Sequence, residues 1–389
     1  MILGIDASNI RSGGGVTHLV NLLKAKAPSS FGIKKVIVWS NQETLNKIED
    51  YPWLSKSHQP LLEKNLLFRS FWQRFNLSKL AREENCDALF VPGGSYMGSF
   101  QPVVTMCRNM LPFEPKQAAH FGRISMMRFK MRLLYHLQSY SFKRVEGIIF
   151  LTKYAKSMVS KSLNELSSEQ AMIPHGIEQR FIHPPRAQRK LTLCSFNQPF
   201  RVLYVSILMP YKHQIEVATA VSRLRADGLP IEMRFIGTPW GEYAREFKKL
   251  LNRLDPKGEY LLWSGGEPFE VLHDSYKRSD AFVFASSCEN LPNILIEAMA
   301  AGLPIACSNC GPMPEVLGDA GIYFNPDKPE SIAESVRKLI ANHDLRESLA
   351  NMAWEKAKFY SWERCAEETY EFITKIYDRT DGSSLKHVN

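Results

Sequence analysis

Apolar residues in this chain come in short runs separated by longer segments where they recur every three or four positions. The first run, MILGID, leads into SGGGVTHLVNLLKA, where glycines give way to an amphipathic helical pattern. KKVIVWS (34–40), DALFVPG (87–93), PVVTMC (102–107) and GIIFLT (147–152) predict further strands, with helical stretches between several of them. Strands alternating with helices imply a parallel sheet covered on both faces.

The second half repeats the alternation. RVLYVSIL (201–208), IEMRFIG (231–237), YLLWSG (260–265), AFVFAS (281–286) and LPIACSN (303–309) are separated by the helical segments HQIEVATAVSRLRADG, EYAREFKKLLNRL and PFEVLHDSYKRS, and by residues 288–304. Residues 174–200 hold four prolines and no clear period, which is linker chemistry. At 389 residues the chain exceeds what one core usually serves. The expectation is α/β: two doubly wound parallel sheets, in domains spanning 1–195 and 196–361, followed by a last helix over about 362–389. Ligands of such sheets bind beyond the carboxyl ends of the strands, so two facing sheets predict a cleft between domains.

Composition narrows the class. Hydrophobic residues make up 44% and charged residues 23%, an ordinary globular balance, and no run reaches the roughly 18 to 20 apolar residues that span a bilayer. Asp6 inside the first apolar run, without a basic leader, argues against a signal peptide and for a cytoplasmic protein. Seven irregularly spaced cysteines suit reduced thiols, and the lone pair Cys307 and Cys310 lacks the further ligands of a zinc site.

The segment CENLPNILIEAMAAGLP (288–304) places Glu289 and Glu297 in apolar surroundings. Asn290 is the expected N-cap, Pro292 fits a first helical turn, and Gly302 with Pro304 is a stop signal. Seven helical residues rise about 10 Å, a span that suits a nucleotide diphosphate sugar, with carboxylates on hydroxyls and helix amides on phosphate. Spacing alone equally fits a first-turn dipole partner and an ordinary helix position. The loop Ser12-Gly13-Gly14-Gly15 follows a strand and opens a helix, so it could hold an anion, although strand-to-helix glycines also serve tight packing.

At Glu289, then Glu297-Ala298-Met299-Ala300-Ala301-Gly302-Leu303-Pro304, the chain resembles retaining glycosyltransferases of family 4, which have the GT-B fold of two facing Rossmann-like domains. The resemblance continues through PEVLGDAGIYFNPDKPESIAESVRKLI to SWE at 361–363. It implies a hexosyltransferase using a nucleotide sugar, with Glu297 on the donor ribose, Glu289 on the sugar hydroxyls, and the amides of Leu291 and Asn293 near sugar or phosphate. Asn290 and Gly237 join the donor-binding positions. Lys212 in MPYKH corresponds to the family's lysine on the diphosphate and would stabilise the leaving group. In the family's mechanism, leaving-group-assisted attack on the same face requires no enzyme base, and the last helix crosses back onto the first domain, so closure would bend near 195 and 360.

Three positions depart from the family pattern. Ile207 stands where an arginine is common, Pro292 where an amide is often offered, and Arg108-Asn109 where the first domain usually has a histidine. Arg108 could restore positive charge near the leaving phosphate and Asn109 could bond the sugar, but an arginine cannot serve as base. No D-x-D occurs in the sequence, so no essential metal and no cofactor is expected.

Charge then divides the halves. Residues 1–200 hold 27 Lys and Arg against 13 Asp and Glu, and residues 201–389 hold 22 against 27. From Pro115 to Val145 no acid occurs, while Lys116, Arg123, Arg128, Lys130, Arg132, Lys143 and Arg144 interleave with large apolar residues. Such a segment fits either a solvated basic helix or a helix lying on anionic lipid, with Arg128, Lys130 and Arg132 facing the membrane. The expected acceptor is a glycan or lipid-linked oligosaccharide of the O-antigen or lipopolysaccharide type, mannose is the expected sugar, and nucleic acid is not expected as a partner. The enzyme would sit peripherally on the inner face of the cytoplasmic membrane. A sugar-nucleotide epimerase and a catalytically silent glycan-binding partner are the alternatives.

Overall fold

Every strand pairing in the structure is parallel, as continuous apolar strands joined by helices require. The structure is a computed structural model and describes residues 1–122 and 125–384; Arg123 of the basic stretch and the end of the expected last helix lie outside the described residues. The first sheet contains β1 (Ile2–Asp6), β2 (Lys35–Ser40), β3 (Leu54–His58), β4 (Ala88–Val91), β5 (Val103–Met106), β6 (Gly147–Phe150) and β7 (Glu169–Met172), in the order β3-β2-β1-β4-β5-β6-β7. The second contains β8 (Phe200–Val205), β9 (Ile231–Ile236), β10 (Leu261–Trp263), β11 (Ala281–Phe284), β12 (Ile305–Ser308) and β13 (Ile322–Phe324), in the order β10-β9-β8-β11-β12-β13.

The central strands are buried on both faces: β4, β5, β6, β11 and β12 have no accessible position. Three strands went unpredicted, and all three are sheet edges. LSKSH, EQAM and IYF are short, partly exposed and partly polar, so they lack the apolar run that marks a central strand.

The chain divides into two units. The first comprises 1–113, 126–176 and 361–389, and the second 114–125 and 177–360. The second unit is entered at Ile177, upstream of the boundary expected near 195. The proline-rich segment is fixed early by backbone and side-chain bonds: the His183 amide donates to the Ala300 carbonyl (2.9 Å), Arg186 donates to the carbonyls of Lys277 and Ser279, and the buried Arg346 donates to the Arg189 carbonyl (2.6 Å). The chain leaves beside its point of entry, with the Ile177 amide bonded to the Tyr360 carbonyl (3.0 Å).

The last helix, Trp362–Ser384, packs on the helix Gly14–Ala25 of the first unit, where the Tyr370 hydroxyl donates to the Leu22 carbonyl (3.4 Å). Among the described residues no helix is long and apolar enough to cross a membrane, and all seven cysteines are free thiols.

Candidate active site

β8 and β11 are neighbours at the centre of the second sheet, so the loops beyond their carboxyl ends meet. After β8, the turn Pro210–Lys212 is closed by His213 in the left-handed region (φ 53°), and the Tyr204 hydroxyl donates to the Lys212 carbonyl. This geometry turns Lys212 inward, leaving it only 6% exposed, and the ammonium pairs with Glu289 from the loop after β11. The rings of Tyr211 and Phe284 lie 5.2 and 5.7 Å from the ammonium. The expected catalytic lysine and the first glutamate are thus one ion pair, with the lysine buried and the glutamate partly so.

Glu297 lies deeper. It sits in the helix Asn293–Ala300, is 6% exposed, and accepts a hydrogen bond from the Tyr276 hydroxyl at 2.8 Å. Burial raises its pKa to about 7, with the Tyr276 hydrogen bond acting in the opposite direction. Near neutrality the carboxyl therefore exists in both protonation states.

The helix start differs from expectation. Asn290 is not the N-cap; Pro292 occupies that position with non-helical angles (φ −79°, ψ 79°) and no side chain caps the helix. A proline pushes its predecessor out of the helical region, so Asn290 and Leu291 belong to the loop. Only the stretch from Asn293 to Glu297 is helical, so helical rise does not measure the separation of the two glutamates. The Asn293 amide donates to the Leu291 carbonyl (3.0 Å), which occupies one of the two amides expected to face the donor. The Asn293 Oδ1 is buried without a partner among the described residues, and Asn290 is buried as well.

Gly237, at the end of β9, is demanded by crowding: a Cβ there would lie 1.7 Å from the Ser206 carbonyl oxygen. Its amide donates to the Gly265 carbonyl (2.7 Å) and its carbonyl accepts from the Trp263 indole (3.0 Å), so its backbone ties the ends of β9 and β10 together. Ile207, in the place of the family's arginine, is exposed.

Sequence reasoning missed several side chains at these loops. The His213 imidazole meets the Ser287 hydroxyl at 2.9 Å, and burial pushes its pKa down to about 4, so it is neutral near pH 7. Ser287 also donates to Gln117 (2.7 Å), and Phe121 sits with ring centroids 5.3 Å from Trp240 and 6.0 Å from Tyr211. Gln117 and Phe121 come from Glu114–Ser125, which follows β5 in the chain yet packs with the second unit. No local spacing could reveal a partner 170 residues away, and Tyr276 precedes Glu297 by 21 residues.

The first unit gathers the other expected residues. Gly13, at φ 62°, precedes the uncapped N-terminus of the helix Gly14–Ala25. A Cβ on Gly15 would lie 2.8 Å from Arg108 Nη1, so absence of a side chain at 15 admits the guanidinium. Arg108 is partly buried, has no hydrogen-bond or ion-pair partner among the described residues, and desolvation lowers its pKa to about 10. Gly13, Gly14, Gly15 and Arg108 therefore form one positive corner. Asn109 is engaged locally, its Oδ1 accepting from the Leu111 amide (3.1 Å).

His18, His175 and Cys365 also converge in this unit, with ligand-type atoms within 4.8 Å of one another and all three residues buried. Burial holds both imidazoles neutral, well below the usual histidine range, and the Arg108 charge adds to the effect. That same charge would repel a cation placed among them.

Residues 193–356 match the family described as glycosyl transferases group 1. That match lies within the second unit. The O-antigen chain mannosyltransferase B of Escherichia coli is 32% identical to this chain over 110 residues, 28% of this chain and 29% of that one. The match thus spans under a third of that relative's length. Among solved structures, the sucrose-phosphate synthase from Thermosynechococcus elongatus superposes with a TM-score of 0.73 at 15% identity, covering 98% of this chain and 100% of the other. The Anabaena protein HepE, solved in complex with UDP-glucose, has a TM-score of 0.67 at 15% identity, covering 95% and 98%. These similarities show the GT-B fold, and Lys212, Glu289 and Glu297 lie within the residues that match the family.

Proposed function

We propose that this protein is a retaining glycosyltransferase that moves a hexose, mannose in the first instance, from a nucleotide diphosphate sugar to a glycan hydroxyl. The observation that carries the reading is the Lys212–Glu289 pair at the carboxyl ends of two central strands, within the residues that match the glycosyltransferase family. In this reading the donor's diphosphate competes with Glu289 for the Lys212 ammonium, releasing the carboxylate to accept hydrogen bonds from the sugar. The ammonium then balances the charge that grows on the leaving phosphate as the glycosidic bond breaks. Glu297 holds the ribose, with Asn290, Leu291, Asn293 and Gly237 shaping the donor pocket. Arg108 with Gly13, Gly14 and Gly15 offers a further anion-holding loop, and Asn109 acts locally by shaping it.

The similarity to an O-antigen mannosyltransferase supports a surface-polysaccharide acceptor carried on a lipid, and HepE's complex supports a nucleotide sugar as donor. Peripheral association with the inner membrane surface follows from that acceptor and from the basic stretch after β5. No resident cofactor or essential metal enters this mechanism. A panel of sugar nucleotides assayed with lipid-linked acceptors, following nucleotide release and acceptor mass together, tests the reading. Transfer of one sugar to the acceptor is expected. Conversion of the donor alone would instead identify an epimerase, and binding without turnover a silent partner.

A further inference from the structure

Two helices of the first unit carry their largest apolar side chains on the outside. In Leu66–Phe75, the exposures of Leu67, Phe68, Phe71 and Phe75 are 78, 44, 54 and 63%, while Trp72 and Gln73 are buried on the opposite side. In Met126–Phe142, those of Met126, Phe129, Leu133 and Tyr140 are 82, 67, 43 and 44%, at helical spacing along one stripe. Two such apolar rows are more than the scattered exposed residues normal for a soluble surface.

Topology puts both rows on one side of the sheet. The connections β3 to β4 and β5 to β6 cross the sheet in the same direction, and right-handed crossovers moving the same way lie on the same face. One loop bridges them: Gln73 donates to the Ser95 carbonyl (2.8 Å), and the Ser141 hydroxyl donates to the Tyr96 carbonyl (3.1 Å).

Charge selects the occupant. From Lys64 to Arg82 there is no acidic residue, with Lys64, Arg69, Arg74, Lys79 and Arg82 present, and the Lys64 ammonium lies 4.8 Å from the Phe68 ring centre. On the second helix, exposed Lys130 and Arg132 flank the apolar stripe on either side. Apolar rows rimmed by cations fit a bilayer surface with anionic headgroups, into whose boundary the side chains insert while the charges meet phosphate.

We propose that Leu66–Phe75 and Met126–Phe142 together form a two-helix surface that docks on an anionic membrane. This rests on the membrane-side reading above and adds the first helix, which sequence analysis did not single out. The test sediments the full chain with vesicles of phosphatidylcholine alone or containing about 30 mol% phosphatidylglycerol. Wild type is expected to pellet with the anionic vesicles only. Leu67→Ser with Phe71→Ser, and separately Phe129→Ser with Leu133→Ser, should each lower the bound fraction about fivefold or more. Lys130→Glu with Arg132→Glu should do the same.

Unchanged binding by the Leu67/Phe71 variant, or no pelleting by wild type, overturns the two-helix surface. So does a dimer in sedimentation velocity that those substitutions dissociate without affecting vesicle binding. Nucleotide-sugar affinity, measured by calorimetry on the same samples, should stay within about twofold of wild type because these side chains lie outside the donor loops. A wild type that pellets but binds no nucleotide sugar would sink the donor reading while leaving this surface standing.

Discussion

Each unit holds a cation at its candidate loops that is at least partly out of water, Lys212 in the second and Arg108 in the first, and the two are treated differently. Lys212 is buried and paired with Glu289, whereas Arg108 has neither a hydrogen bond nor an ion pair among the described residues. A paired buried charge is tolerated because Coulomb attraction offsets desolvation, and removing one partner exposes the penalty of the other. An unpaired cation has no such offset, so the fold loses stability by keeping it. Lys212 is therefore satisfied by its own partner, whereas the Arg108 charge is left without an offset.

The widest test of this contrast is catalytic. Lys212→Ala should lower turnover about 10²- to 10³-fold, the range for removing one preorganised group from a developing charge. Nucleotide release with the best sugar donor measures it. Full turnover would remove Lys212 from the mechanism even if the family assignment stands.

Stability separates the pair next. Glu289→Ala leaves the Lys212 ammonium buried without its partner and should lower the unfolding free energy by about 3 to 5 kcal/mol. Replacing both residues, as Lys212→Met with Glu289→Leu, should recover most of that loss. Urea unfolding monitored by tryptophan fluorescence checks both, and a double variant as unstable as Glu289→Ala would mean that the pair is not an isolated unit of charge.

Glu297 gives a pH signature. Its folded pKa of about 7 lies above the ordinary carboxyl value, so the folded state holds a proton that the unfolded state releases at lower pH. Stability is then fully present below about pH 4.5 and declines as pH rises toward 7, because the folded state binds more protons across that window. The total change is on the order of 1 to 3 kcal/mol. Glu297→Gln should flatten this part of the pH dependence, and Tyr276→Phe should steepen it by removing the hydrogen bond that favours the ionised form. A melting series from pH 4.5 to 8 that is parallel for wild type and Glu297→Gln would refute the assignment.

What the sequence displayed follows from where its signals are local. Ten apolar runs marked strands, and the three missed, β3, β7 and β13, are edges whose mixed composition carries no continuous run. The glutamates and Lys212 were visible as motif positions, but their pairing was not, because 77 residues separate them. The helix start was misjudged because Asn290 is a good cap by residue type, while Pro292 after Leu291 delays the helix by conformation. Gln117, Phe121 and Tyr276 reach the candidate site only through tertiary packing.

The smallest effect decides whether the two cations differ as argued. Arg108→Met removes a charge that has no partner to strand, so unfolding free energy should stay level or rise by up to about 1 kcal/mol. Lys212→Met, which strands Glu289, should fall by about 3 kcal/mol in the same assay. If Arg108 holds a phosphate of the substrate, its removal should still weaken nucleoside diphosphate binding about tenfold, the worth of one charge-assisted hydrogen bond. The two readouts must move independently for the contrast to hold. A destabilised Arg108→Met would show that the guanidinium already supports the fold around Gly15, where its Nη1 would sit 2.8 Å from an added Cβ. Unchanged affinity with unchanged stability would leave Arg108 outside the substrate's reach, and the positive corner would then serve something other than the donor.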